Sequence, residues 1–264
     1  MSDTRTIITD DGCVIACDYR PHGDAPTVVL SPSLGTAMAL FDAQVEALAD
    51  CYSILRYDPR GHGSSAIPEG GYSLDRLGRD VIGLLDAFDI DRAHFVGVSL
   101  GGMTGQWMGY RAPERLLSLT LANTSAYMGP PTGWADRIRT VLDMGMDAMV
   151  EPVIERWFTT TFRSTCETEV ARIAAMLAAT APKGYAGCCA AIRDMDLRRT
   201  ASLIDVPTLV IAGAQDPATP PEHANYLASA IDGAKLVTLD AAHLSNVEQT
   251  TLFNNALLRF LESP

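Results

Sequence analysis

Positive charge is scarce in this chain: 20 Lys and Arg stand against 32 Asp and Glu, a formal net charge of −12 at pH 7. That deficit excludes nucleic-acid binding as a function class, because gripping a phosphate backbone takes a basic surface. It also means that an anionic ligand has to be met by a local cation, since the overall field repels it. Long apolar runs are missing as well. The stretch from Met1 to Asp11 is polar, without the apolar segment of a secretory signal, and no later segment reaches the ~20 apolar residues that span a bilayer. Six cysteines (Cys13, Cys17, Cys51, Cys166, Cys188 and Cys189) form neither CxxC pairs nor a zinc-ligand spacing. Free thiols in a reducing compartment are expected from that pattern. Internal repeats and low-complexity tracts are absent too. These absences predict a soluble, cytoplasmic protein with no membrane partner and no metal.

What is present is a chain of 264 residues, 47% of them hydrophobic. One core with an inserted subdomain and two separate domains are both compatible with that size. Thr27-Val28-Val29-Leu30 is a continuous apolar run of the kind shown by a strand buried on both faces. Helical spacing follows over Phe41–Ala49, then a strand over Tyr52–Tyr57 and the turn-rich run Asp58 to Gly63. Ser73 is placed to cap a helix whose apolar positions are Leu77, Val81, Leu84, Leu85 and Phe88. A strand over Ala93–Val98, a helix over Leu100–Arg111 and a strand over Leu116–Ala122 continue the rhythm. Strand, helix, strand, repeated, predicts a parallel sheet with right-handed crossovers.

The rhythm stops after Asn123. From Trp134 to about Arg198 the spacing is helical: Trp134, Ile138, Val141 and Leu142 share one face, and Met149, Val153 and Trp157 mark another. Two further helical stretches lie near Glu167–Ala179 and Pro182–Arg193. Strand character returns at Pro207–Ala212 and Lys235–Leu239, separated by a helix over Glu222–Ala230 and followed by a closing helix from about Val247 to Leu261. The expected division is a core of residues 1–123 and 203–264 with a helical cap of 124–202 between them.

Chemistry concentrates at Gly97-Val98-Ser99-Leu100-Gly101. This G-x-S-x-G pattern sits at the end of an apolar strand and the start of a helix, where a sharp turn lifts the serine hydroxyl clear of the backbone. A glycine-rich turn with an incidental serine is the plainer reading of the same letters. A serine nucleophile needs a base held by a third group. Of five histidines, His22 lies in an N-terminal turn and His223 in a helix, while His94 begins the strand that ends at Ser99, about 15 Å away. His62, in Gly61-His62-Gly63, fits a loop-shaping role. His243 follows a strand at its C-terminal end, where parallel sheets carry their sites. For the acid, chain order selects Asp216, just past the strand that precedes it; Asp240 is the nearest competitor. Another position used for the acid, after the strand Leu116–Ala122, holds Asn123-Thr124 and no carboxylate. Two backbone N–H groups are expected to receive the oxyanion, that of Leu100 and that of Leu34 in the loop after Thr27–Leu30.

Ser33-Leu34-Gly35, the run from Arg56 to Ser65, the Ser99 turn, and Asp216 with His243 together resemble the α/β-hydrolase superfamily over nearly the whole chain. That resemblance implies an α/β-hydrolase fold: a mostly parallel eight-stranded sheet with helices on both faces and an inserted helical cap. Trp134 to Ile138, Gly184 to Asp196 and Ser33-Leu34-Gly35-Thr36 further resemble the 3-oxoadipate enol-lactonases of the β-ketoadipate pathway in bacterial aromatic catabolism. The implied substrate is a small enol-lactone with an acetate arm, opened by attack of Ser99 or by direct attack of water assisted by the same triad. Ser33 and Trp134 are then candidates to line the pocket. Arg137 and Arg193 are candidates to hold the carboxylate, because a planar guanidinium grips one through two bonds. Ordinary helix ion pairs would equally account for either arginine, and Asp194 and Asp196 lie beside Arg193. A carboxylesterase or C–C bond hydrolase would use the same triad, and a non-catalytic ligand-binding protein would use the same fold. Dehalogenase and epoxide hydrolase chemistry need a carboxylate where Ser99 stands. No cofactor is expected: the turn after Gly97 lacks the lysine of a phosphate loop. Oligomeric state is not legible.

Overall fold

The computed structural model describes residues 4–263; residues 1–3 and 264 of the expected core lie outside the described residues. In chain order the elements of the first half are β1 (Arg5–Ile8), β2 (Val14–Arg20), β3 (Thr27–Ser31), α1 (Asp42–Leu48), β4 (Ser53–Tyr57), α2 (Leu74–Ala87), β5 (Ala93–Val98), α3 (Leu100–Arg111) and β6 (Leu116–Ala122). Five helices follow without a strand: α4 (Pro131–Met144), α5 (Asp147–Trp157), α6 (Thr160–Thr165), α7 (Glu167–Ala178) and α8 (Pro182–Asp194). The chain then completes β7 (Thr208–Gly213), α9 (Pro221–Ala230), β8 (Lys235–Leu239), α10 (Ser245–Glu248) and α11 (Thr250–Glu262).

One eight-stranded sheet results, in the order β1-β2-β4-β3-β5-β6-β7-β8. Pairings β1–β2 and β2–β4 are antiparallel and the other five are parallel. Every residue of β3, β4, β5 and β7 is buried. This explains their mostly apolar composition, since helices cover both faces of a parallel sheet. Each large aliphatic or aromatic side chain withdrawn from water there contributes roughly 1.5–3 kcal/mol. Edge strand β8 instead reads mostly exposed or half-buried.

Local signals explain the helix boundaries. The Ser73 hydroxyl accepts from the Arg76 N–H at 3.1 Å and so opens α2, a cap worth about 1 kcal/mol. The helix expected from Phe41 begins as a 3-10 turn over Met38–Phe41 and becomes α-helical at Asp42. The single closing helix expected from Val247 is broken at Gln249, where φ −121° and ψ 46° leave the helical region. Leu142, expected on the inward face of α4, is 52% exposed, whereas Val141 beside it is buried. Among the described residues no helix is long and apolar enough to cross a membrane.

The order in which strands are added to the sheet reverses between β3 and β5: β4 lies to one side of β3 and β6 beyond β5 on the other. Open parallel sheets present their sites at such a switch point, beyond the strand C-terminal ends. The residue after β5 is Ser99.

Candidate active site

Ser99 has φ 55° and ψ −112°, a conformation that L-residues rarely adopt and that stores strain at a sharp turn. Its neighbours make the turn possible. A Cβ at Gly97 would come within 2.2 Å of the Gly101 carbonyl oxygen, and one at Gly101 within 2.0 Å of the Ser31 carbonyl oxygen. Both positions therefore exclude any side chain. The turn is pinned by the Ser99 N–H donating to Ala122 O at 2.9 Å and by the Thr124 hydroxyl donating to Ser99 O at 2.7 Å.

Ser99 opens onto a cavity of about 330 Å³, whose lining also includes His243, Ser33 and Leu34. His243 stands in the loop after β8, and Asp216 in the turn after β7. His243 Nδ1 lies 2.8 Å from Asp216 Oδ2. With Nδ1 donating to the carboxylate, Nε2 is the ring nitrogen left for a substrate proton. Asp216 is surrounded by donors: the N–H groups of Ala218 and Thr219 reach Oδ1 at 2.8 and 2.9 Å, while the Thr219 hydroxyl and Asn123 Nδ2 reach Oδ2 at 2.7 and 3.0 Å. Burial alone would raise its pKa. The neighbouring His243 and these hydrogen bonds outweigh burial and hold the carboxyl at about 2. Asp240, the competing acid, accepts instead from exposed Gln215.

Asn123 occupies the place where a second acid position is empty of carboxylate, and its amide serves the acid that is present. Its φ of 45° lies in the left-handed region that asparagine tolerates. Ser245 Oγ donates to its Oδ1 at 2.5 Å, and its Nδ2 also donates to Ala242 O at 3.1 Å. The break at Gln249 lets the short α10 aim Glu248 back at this loop, where it accepts from the Ala242 N–H at 2.9 Å. Nothing in the sequence marks Asn123, Thr219 and Glu248 for these roles, because the roles depend on loops meeting across the sheet end.

Leu34 and Leu100 hold the places expected for oxyanion donors: the loop after β3, and the first residue of α3. Among the described residues neither N–H has a hydrogen-bond partner within the protein. Ser33 is 1% exposed and its hydroxyl, also facing the cavity, lacks a partner. The other histidines lie elsewhere. His94 Nδ1 meets Ser118 Oγ at 2.8 Å, His62 bonds backbone in the β3 and β4 loops, His22 is exposed and His223 belongs to α9.

The opposite wall comes from α4, α5 and α8. Trp134, Arg137, Arg156, Trp157 and Tyr185 line it. The Arg137 guanidinium lies 4.8 Å from the Trp134 ring centroid and 3.5 Å from the Tyr185 hydroxyl, both uncharged partners. Arg156 makes no ion pair among the described residues. Burial, and then the positive charge of Arg137, push its pKa below the ordinary arginine value. Among the described residues no Asp or Glu lines the cavity. Two guanidiniums thus face one cavity without a carboxylate between them. Arg193 is not part of this wall: it forms a two-bond pair with the adjacent Asp194 at 2.7 and 2.8 Å on the surface. Arg156 lines the cavity where Arg193 does not. A sequence signal existed, since Arg156 lies three residues after Val153 and beside Trp157, a charge on an otherwise buried face. Among the described residues no group of three or more His, Cys, Asp or Glu is placed to hold a metal ion.

A family model described as alpha/beta hydrolase fold matches residues 26–202, and one described as TAP-like protein matches residues 180–264. The chain is 40% identical to 3-oxoadipate enol-lactonase 2 of Acinetobacter baylyi over 92% of either chain. Among solved structures it is similar to a hydrolase from Pseudomonas aeruginosa, with 46% identity, a TM-score of 0.96 and 98% of each chain covered. It is likewise similar to the enol-lactonase from Burkholderia xenovorans, with 39% identity, a TM-score of 0.96 and coverage of 98% of this chain and 100% of that one.

Proposed function

The chain belongs to the alpha/beta hydrolase fold family, and from that premise we propose that it hydrolyses a small anionic enol-lactone, 3-oxoadipate enol-lactone, to 3-oxoadipate. The observation that carries the reading is the two-sided cavity, with Ser99 and His243 on one wall and the unpaired Arg137 and Arg156 on the other. A lactone ring fills the space between them, and its single acetate carboxylate bridges the two guanidiniums through charge-assisted bonds. The relatives' names support the same substrate.

In this mechanism Ser99 Oγ attacks the lactone carbonyl while His243 Nε2 takes its proton, and Asp216 stabilises the imidazolium. The carbonyl oxygen, now anionic, is received by the N–H groups of Leu34 and Leu100, with the free Ser33 hydroxyl as a further donor. Collapse breaks the ring C–O bond. His243 returns its proton to the departing enol oxygen, and the enol tautomerises to the ketone. Water, deprotonated by His243, then cleaves the acyl-serine ester, restores the Ser99 hydroxyl and leaves a second carboxylate on the product. No cofactor enters these steps. Trp134 contributes by packing against Arg137 and fixing its aim. A cytoplasmic site of action belongs to the same proposal, supported by the free cysteines, four of them buried.

The deciding measurement follows the loss of ultraviolet absorbance of freshly generated 3-oxoadipate enol-lactone with wild type and with Ser99→Ala. Wild type is expected to consume it rapidly, and the variant at close to the spontaneous rate. Wild type that ignores the lactone yet cleaves a simple aryl ester would retain the hydrolase and overturn the substrate.

A further inference from the structure

Two hydrogen bonds define the state of His62. Its Nε2 accepts from the Gly35 N–H at 2.9 Å, and its Nδ1 lies 3.2 Å from the Arg60 carbonyl oxygen. A carbonyl only accepts, so Nδ1 carries the proton and Nε2 offers a lone pair. The Nε2 contact requires a neutral ring, since a protonated Nε2 has no lone pair to accept with, and the ring is buried, with 1% of the residue exposed. Its backbone support is fixed as well. Arg60 pairs with buried Asp80 through two contacts of 2.6 Å.

Gly35 is the residue after Leu34, the loop's oxyanion donor. It has φ +77°, and a Cβ there would lie 2.5 Å from the Leu177 side chain. Its carbonyl is held from the other side, accepting from the Thr180 hydroxyl at 3.2 Å. Core and cap thus grip one residue, His62 by the N–H and Thr180 by the C=O. A glycine has no side chain to restrain its dihedrals, so these two bonds supply the restraint.

We propose that His62 is a positioning residue of the oxyanion hole: its lone pair, by holding the Gly35 N–H, sets the angle at which the Leu34 N–H meets the developing oxyanion. The proposal rests on the serine-hydrolase reading above, and not on which ester is cleaved. His62 touches neither substrate nor Ser99. Its effect is confined to the tetrahedral state, because a donor aimed at that oxygen matters most when the charge forms.

The test uses the full chain with His62→Phe, which fills the ring's volume without a lone pair, and His62→Gln, whose Oε1 restores an acceptor near the Nε2 position. Both the enol-lactone and p-nitrophenyl acetate serve as substrates. For His62→Phe the expected result is a kcat lowered by about 50-fold with KM nearly unchanged, since misaiming one donor approaches the loss of that donor. Phenylboronic acid, which forms a tetrahedral adduct on Ser99, should lose affinity by the same factor as kcat/KM, and His62→Gln should regain most of both. A folded His62→Phe that keeps its kcat, that loses KM instead, or that binds the boronate as wild type does overturns the proposal. If His62→Phe does not fold, His62→Asn, too short to reach Gly35, is compared with His62→Gln by the same criteria. Turnover of the ester alone by wild type sinks the lactone substrate and still tests His62. Turnover of neither sinks the hydrolase reading and this proposal with it.

Discussion

Asp216 and Arg156 stand at opposite walls of one cavity and are treated in opposite ways. The carboxylate of Asp216 accepts five hydrogen bonds, from Ala218, Thr219 twice, Asn123 and His243. The guanidinium of Arg156 has no ion pair among the described residues, and burial and Arg137 lower its pKa below the ordinary arginine value. A buried charge with many donors is settled whether or not a ligand is bound. One left without a counter-ion gains its partner when an anion arrives. The first arrangement suits a group that must hold a base through every step, and the second suits a group that recognises. Under the proposed function, catalytic strength and substrate choice are divided between the sheet end and the cap.

Substitutions on each wall test that division, beginning with the largest effect. Asp216→Asn should lower kcat by about 10⁴-fold on any ester while leaving KM close to wild type, because the amide favours the wrong histidine tautomer. Steady-state kinetics on the enol-lactone and on a neutral aryl ester would read it, and a loss seen only with the lactone would break the comparison. A second effect belongs to the settled wall alone. Burial pushes the His62 pKa from 6.5 down to about 4, so below pH 6.5 the unfolded chain binds a proton that the folded chain refuses. Stability is then unaffected by this group above pH 6.5 and falls between pH 6.5 and 4. Each pH unit crossed in that window costs about 1.4 kcal/mol, and the accumulated loss is about 3 kcal/mol. Urea melts across that range should show a shallower decline for His62→Gln than for wild type, and equal slopes would refute the account.

On the recognising wall, Arg156→Gln should lower kcat/KM for the anionic lactone by about 10- to 100-fold, mostly through KM, given ~1.5–3 kcal/mol for a charged hydrogen bond. The same variant should leave a neutral ester unaffected, and equal losses on both substrates would remove Arg156 from recognition. Smallest of all is Arg193→Gln. Its pair with Asp194 is a surface contact, worth ~0–1 kcal/mol, and activity on either substrate should stay near wild type. A marked rise in KM for this variant would return Arg193 to the substrate and weaken the contrast between the walls.

The sheet is legible in the sequence because strands buried on both faces are largely apolar, as Thr27–Leu30 and Phe95–Val98 are. The elbow at Ser99 is legible for a related reason: Gly97 and Gly101 meet backbone oxygens, so the spacing is enforced by contact. Residues acting across loops are not. Asn123 reads as a missing acid, but its bond to Asp216 joins positions 93 residues apart. His62 reads as a loop-shaper, without any sign that the loop it shapes is the one carrying Leu34. In the cap, helical periodicity locates the elements but not their rotation. Leu142 is expected inside and is exposed, and the sequence reading names Arg193, whose neighbourhood resembles a known motif, and leaves Arg156 unnamed. A helix face is defined to within one side chain only by what packs against it, and the cap packs around a hollow.

The unpaired arginines also bear on how the product departs. Ring opening turns one carboxylate into two, so the molecule that leaves carries more negative charge than the one that entered. Under the proposed mechanism the guanidiniums that admit the lactone hold its product more firmly, and the protein's net charge of −12 pulls the other way once the product clears the rim. Escape is therefore the step on which dissolved salt acts most, by loosening the grip inside.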